Sequence, residues 1–221
     1  MLGNLATTEI EIRMLGPLDS QALHHHLLCI QKETPFTLLS GQAIAQVGEI
    51  RKKLIRFSER DSFRDEVRLG AFVKTLCLES VPKTSKKKLY LAGYLMFKAE
   101  QSSQWTEHVA SFGLGVEQAF WGKGVGVALM QAMERHAVIH GFRRLEAEVR
   151  CANLRALKFY EKLGYAVEGV RKACVRVPAS YWSFVDSQAH KSSELTFCAD
   201  KGKANRNEYE SEFYIAKILP G

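Results

Sequence analysis

Gly122, Lys123, Gly124 and Gly126 stand where an apolar, strand-like run from Val109 to Val116 gives way to a helical pattern. Glycines at every second position around a lysine leave several backbone N–H groups uncovered where a helix begins. Such groups bind anions, because the first amides of a helix lack intrahelical partners and its dipole is positive there. The plainer reading is a turn that uses glycine for its backbone freedom. Two nucleotide motifs fail the count. A P-loop would need a glycine at Glu117 and a hydroxyl at Gly124, and a Rossmann fingerprint would need Gly or Ala at Val127 or Leu129.

Other reactive residues form weaker patterns. His136 and His140 lie one helical turn apart and could chelate a metal, but no third ligand accompanies them. His24-His25-His26 splay around a helix axis and read as surface histidines. The five cysteines are odd in number and far apart, with no Cys-x-x-Cys pair. That argues for a reducing compartment and against a structural zinc.

The elements that must position these residues follow from periodicity. Glu9 to Leu15 alternates as a strand that Gly16-Pro17 ends, and Asp19 or Ser20 caps a helix to about Lys32 with Leu23, Leu27, Leu28 and Ile30 as its apolar set. A second helix is expected over Gly41 to Phe57. Arg68 to Leu78 and Leu89 to Lys98 read as a hairpin around a basic turn, and His108 to Val116 as the next strand. Gly126 to His140 is helical and Gly141 ends it. Arg144 to Arg150 is a strand with Leu145, Ala147 and Val149 on one side and Glu146 and Glu148 on the other. Asn153 caps a helix that Gly164 stops. Tyr165 to Val177 and Tyr209 to Leu219 are closing strands, and the polar stretch 178–207 between them is expected to be an irregular insert or lid. The alternation of elements predicts a mixed α/β fold around one sheet, in a single domain over residues 5–221.

Composition narrows the partners. With 46% hydrophobic and 25% charged residues in 221, the chain is ordinary for a soluble globular protein. The formal charge of +7 favours acidic partners, but the basic clusters are short and scattered, so a solvated surface is expected over a nucleic-acid groove. There is no basic leader with an apolar run and no membrane-spanning stretch, which points to the cytoplasm.

Two blocks together resemble the GCN5-related N-acetyltransferase superfamily. The family's loop, Gln/Arg-x-x-Gly-x-Gly/Ala, is matched by Gly124 and Gly126, with Trp121 departing at the polar position. The second block, Glu148-Val149-Arg150-Cys151-Ala152-Asn153 through Ala156, Tyr160-Glu161-Lys162 and Gly164-Tyr165, is close to the family's Asn-x-x-Ala-x-x-x-Tyr-Glu-Lys-x-Gly-Phe. The resemblance implies a mainly antiparallel central sheet with a splayed pair of strands and helices on both faces. It also implies acetyl-CoA as cosubstrate, no metal, an amine acceptor, and a monomer or homodimer.

Residue by residue, the resemblance implies that the amides of Trp121, Gly122, Lys123, Gly124, Val125, Gly126 and Val127 hold the pyrophosphate. Main-chain groups of Leu114, Gly115 and Val116 would hold the pantetheine and the acetyl carbonyl. Tyr160 matches the residue that protonates the departing thiolate, and is otherwise a core tyrosine. Asn153 contacts the cofactor or caps its helix. Glu148 matches the base of ribosomal-protein alanine acetyltransferases, and is otherwise an exposed strand carboxylate. Ala110 stands where many relatives carry a basic glutamate; Glu107, His108 and Glu33 are outside candidates. Glu208, Glu210 and Glu212 either attract a cationic acceptor or form a solvated strand face. The expected function is acetyl transfer to an amino acid or small amine. Protein N-terminal acetylation and a catalytically silent acyl-CoA-binding module are the alternatives.

Overall fold

In the computed structural model, which describes residues 9–37, 43–58, 65–74, 89–100, 103–189 and 208–220, contacts divide the chain into two units, Met1–Phe142 with Gly221 and Arg143–Pro220. In the first, β1 (Ile10–Met14), β2 (Glu66–Lys74), β3 (Leu89–Ala99) and β4 (Val109–Val116) lie side by side in that order, each antiparallel to the next. The β2–β3 pairing expected from sequence is present, and the basic turn expected between them lies outside the described residues.

Helices cover both faces of these four strands. Leu23 and Leu27 of α1 (Ser20–Glu33) and Ile50 and Leu54 of α2 (Val47–Ser58) pack with Phe72, Leu91 and Tyr94. Helix α3 (Val125–Ile139) takes the other face, where Phe97 meets His136 and Phe142 edge-on at ring distances of 5.3 and 5.0 Å. A register shift makes this division possible. Ala71 pairs with Gly93 but Phe72 pairs with Leu91, so one extra residue of β3 lets Leu91 share a face with Tyr94 while Gly93 faces α3.

Gly93 is where α3 rests on the strand. A Cβ there would stand 2.8 Å from Val125 Cγ1 and 2.9 Å from Leu129 Cδ1, both in the first turns of α3. Gly93→Ala is therefore expected to cost about 1–3 kcal/mol through overpacking, read as a lower urea midpoint at unchanged slope.

Two local expectations need correction. Helix α2 starts at Val47 rather than Gly41, because its first turn is anchored by Glu49 and Ile50 donating to the Gln46 carbonyl. Asp19 precedes α1 but makes no side-chain cap. Its carboxylate is taken by a two-pronged bond from Arg13 at 2.7 and 2.8 Å and by the Gly16 amide.

In the second unit, β7 (Tyr209–Ile218) runs antiparallel between β5 (Arg144–Arg150) and β6 (Ala166–Arg176). The apolar side of β5, Leu145, Ala147 and Val149, is buried with Phe213 and Ile215 of β7. Helix α4 (Leu154–Lys162) follows β5 and ends at Gly164. The stretch 178–207 is not simply irregular. It begins with α5 (Ala179–Ala189), whose Tyr181 and Val185, one turn apart, are buried; residues 190–207 lie outside the described part. No helix among the described residues is long and apolar enough to cross a membrane. Among the described residues, Cys29, Cys151 and Cys174 form no disulfide with one another.

Candidate active site

The glycine loop grows directly from β4. Glu117 leaves the strand with its amide bonded to the Ala92 carbonyl at 3.1 Å, and a tight turn over Gln118–Phe120 follows. Glu33 at the end of α1 pins that turn, accepting from the Gln118 amide at 2.7 Å. This occupies one of the outside candidates for a base. Gly122 and Gly124 then take φ of 72° and 83°, the left-handed region that side-chain-bearing residues avoid. A Cβ at Gly122 would meet nothing within 4 Å, so the space above the loop is open.

Helix α3 begins immediately. Its first bond is from the Ala128 amide to the Gly124 carbonyl at 2.9 Å, so the amides of Val125, Gly126 and Val127 precede the helical ladder. Gly122, Lys123 and Gly124 are exposed, and the Lys123 ammonium lies 5.5 Å from the Phe120 ring. Open space, left-handed glycines and amides ahead of the ladder fit a pyrophosphate. Trp121, which replaces the expected polar residue, turns back into the loop. Its indole N–H donates to the Val116 carbonyl at 2.7 Å and closes the turn from within. Leu114, Gly115 and Val116 are half-buried along the end of β4.

A buried polar chain lies beneath this loop, and sequence reasoning missed it. His26, expected at the surface, is 1% exposed, and its Nδ1 lies 2.8 Å from Glu117 Oε1; Glu117 is 4% exposed. The other carboxylate oxygen accepts from the Tyr90 hydroxyl at 2.7 Å, and the Tyr90 ring stacks on Phe120. Burial, then the bond to Glu117, holds the Tyr90 phenol well above its ordinary range. A carboxylate can only accept, so Nδ1 carries a hydrogen, and in the neutral ring Nε2 is the bare lone pair. Nε2 is buried without a hydrogen-bond partner among the described residues, a situation that costs about 1–3 kcal/mol. The sequence carried a signal for this burial: His26 falls three residues after Leu23 and four before Ile30, both core residues of α1.

In the second unit, Asn153 caps α4, its side-chain oxygen accepting from the Ala156 amide at 3.2 Å. Tyr160 is buried, with its ring against Phe159 and Tyr165, and burial raises its phenol above the ordinary value. Glu148 lies on the exposed side of β5, where Arg171 donates to its carboxylate at 2.5 Å and Tyr214 joins the pair. Glu107 and His108 are exposed, whereas Ala110 is fully buried.

The three acidic residues at the start of the last strand, Glu208 just before β7 and Glu210 and Glu212 within it, separate sharply. Glu208 is exposed and bonded to Arg176, whereas Glu210 and Glu212 are 3% and 4% exposed. Arg150, itself 8% exposed, sits between them, with Nε 3.4 Å from Glu212 and Nη1 3.8 Å from Glu210. Glu210 also accepts from the Ala152 amide at 2.9 Å and from the Tyr181 hydroxyl of α5. A solvated face is thus wrong for two of the three. Their carboxylates tie β7, α5 and the β5–α4 turn together.

The sequence model of the Acetyltransferase (GNAT) family matches residues 53–165. Solved structures with the same fold include an acetyltransferase of the GNAT family from Streptococcus pneumoniae, at 19% identity and a TM-score of 0.67 over 96% of this chain and 100% of that one. Another is yncA from Salmonella typhimurium, solved with its cofactor acetyl-CoA, at 12% identity and a TM-score of 0.64 over 96% and 95%. A ribosomal-protein-alanine N-acetyltransferase from Brucella melitensis aligns at 15% identity and a TM-score of 0.61 over 95% and 99%. No curated protein sequence matches the chain.

Proposed function

Since the chain belongs to the GNAT family of acetyltransferases, we propose that it moves the acetyl group of acetyl-CoA to the primary amine of an amino acid or another small molecule by direct attack. Acetyl-CoA supplies the thioester. The observation that carries the proposal is the loop from Trp121 to Val127, where Gly122 and Gly124 are left-handed, a Cβ on Gly122 would meet nothing within 4 Å, and the amides of Val125, Gly126 and Val127 precede the helical ladder. Those amides would neutralise a pyrophosphate without a metal, and a side chain at Gly124 would both strain the turn and crowd the approach.

Other residues take the roles their surroundings support. The main chain of Leu114 and Gly115 would hold the pantetheine arm and polarise the acetyl carbonyl. The Val116 carbonyl is already engaged by Trp121, so Val116 contributes through its amide and side chain. Tyr160 would donate to the departing thiolate, a role suited to a phenol whose burial keeps it protonated. Asn153 acts first as a cap. Lys123, solvent-facing at the loop tip, adds positive charge. No cysteine forms a covalent acetyl-enzyme.

The acceptor is a small amine rather than a strongly cationic molecule, because Glu210 and Glu212 are consumed by Arg150, Ala152 and Tyr181. A protein N-terminus is the second reading, supported by the Glu148-Val149-Arg150 block. The deciding experiment incubates the protein with acetyl-CoA and a panel of amino acids, small amines and N-terminal peptides. Free thiol is followed and products are identified by mass. Amine-dependent thiol release with a matching acetylated product is expected. Acetyl-CoA binding with no such release over the whole panel would instead describe a silent acyl-CoA-binding module.

A further inference from the structure

We propose that His26 is the proton acceptor for the incoming amine, its Nε2 held bare beside Gly115 by the Glu117 carboxylate. The assignment rests on the acetyl transfer proposed above, but its geometry lies wholly in the first unit. His26 Nδ1 donates to Glu117 Oε1 at 2.8 Å, and Tyr90 holds Oε2 at 2.7 Å, so the ring is fixed in one tautomer and one orientation. Nε2 then projects toward the end of β4. A Cβ built on Gly115 would lie 3.9 Å from Nε2 and only 2.7 Å from Ile30 Cδ1, so no residue other than glycine leaves α1 and its histidine this close to the strand. The same Gly115 main chain is the one assigned to the acetyl carbonyl.

Nε2 is shut off from solvent, so the acceptor meets it through a local opening of the contact between Ile30 and Gly115; there an oriented lone pair with no partner among the described residues can serve as a general base. His26 Nε2 takes one proton from the ammonium form of the acceptor. The freed nitrogen lone pair forms the C–N bond to the acetyl carbon, the C–S bond breaks, and its electron pair leaves on sulfur. The nitrogen's second surplus proton goes to that sulfur through solvent, and the imidazolium returns its proton to water. Amide, free thiol and one proton result. Glu148, by contrast, would first have to leave Arg171. Among the described residues, the ionisable groups surrounding the chain are Glu117 from the loop, Tyr90 from β3, and His25, Cys29, Lys32 and Glu33 from α1.

The test is the pH profile of kcat/KM for the best acceptor of the panel, measured on the wild type, His26→Gln, Glu117→Gln and Glu148→Gln, with acetyl-CoA affinity by calorimetry. His26→Gln is expected to lose about 100-fold or more in kcat, keep acetyl-CoA affinity within about threefold, and lose the acidic limb of the profile. Glu117→Gln should also lower kcat, since the amide no longer fixes the ring in one tautomer and orientation. A wild-type profile in His26→Gln overturns the proposal, as does loss of the limb in Glu148→Gln alone. If His26→Gln fails to fold, nitrogen NMR of the unmodified chain decides. An Nε2 that is unprotonated in the neutral ring and titrates with the kinetic limb supports the role; a protonated Nε2, or a titration away from the limb, ends it. A wild type that binds acetyl-CoA and acetylates nothing defeats the acetyl-transfer reading itself, and the His26 role falls with it.

Discussion

Tyr160→Phe is expected to lower kcat by about 100-fold while leaving acetyl-CoA affinity within about threefold. The substitution removes one hydroxyl and keeps the ring that packs against Phe159 and Tyr165, so the fold around α4 survives. What is lost is a donor for charge that develops only as the C–S bond breaks, so the effect falls on turnover rather than on binding. Burial sets the manner of donation. A thiol titrates near 8.5 and a free phenol near 10, so a phenol held above its ordinary value does not hand over its proton early. In the proposed role it donates a hydrogen bond that strengthens with the sulfur's charge. For the same reason, no alkaline limb belonging to Tyr160 is expected in the wild-type profile below about pH 10. Rapid-mixing thiol release with calorimetric affinity separates the two effects, and an unchanged kcat would remove Tyr160 from the chemistry.

The largest stability effect is expected at Glu210. Glu210→Ala should cost about 3–5 kcal/mol, because it strips one carboxylate from a buried guanidinium and orphans two donors, the Ala152 amide and the Tyr181 hydroxyl. Glu210→Gln, which keeps an acceptor for those donors, should cost distinctly less. Glu148→Ala is the control on the neighbouring strand: its partner Arg171 is solvent-exposed, and stability should hardly move. Urea midpoints for the three variants make the comparison, and equal losses at Glu210 and Glu148 would deny the buried cluster its role.

Sequence legibility varied with the range of the determinants. The bounds of β5 coincide with expectation because a period-two apolar pattern over Leu145, Ala147 and Val149 is a local property. So does the start of α4, where Asn153 needs only the amide three residues on. The glycine loop was readable for the same reason. The His26–Glu117 pair was not, because its members lie 91 residues apart and a histidine within a run of three histidines reads as polar surface. Its helical phase with Leu23 and Ile30 was the usable clue. Glu210 and Glu212 misled in the opposite way. Alternating acids on a strand describe a wet face unless a cation is brought among them, and Arg150 comes from another strand. Helix α5 hid in polar composition, although Tyr181 and Val185 already stood one turn apart.

The indole of Trp121 gives the loop an optical signature of its own. Its N–H is fixed on the Val116 carbonyl, within the stretch proposed to receive the phosphates, while Trp105 is 80% exposed and Trp182 lies in the other unit. Emission from the three indoles therefore arises in distinct settings. With Trp105 and Trp182 replaced by phenylalanine, the remaining fluorescence comes from the loop itself. Its wavelength and quenching then time the arrival and departure of the cosubstrate directly, without a reporter dye and without turnover.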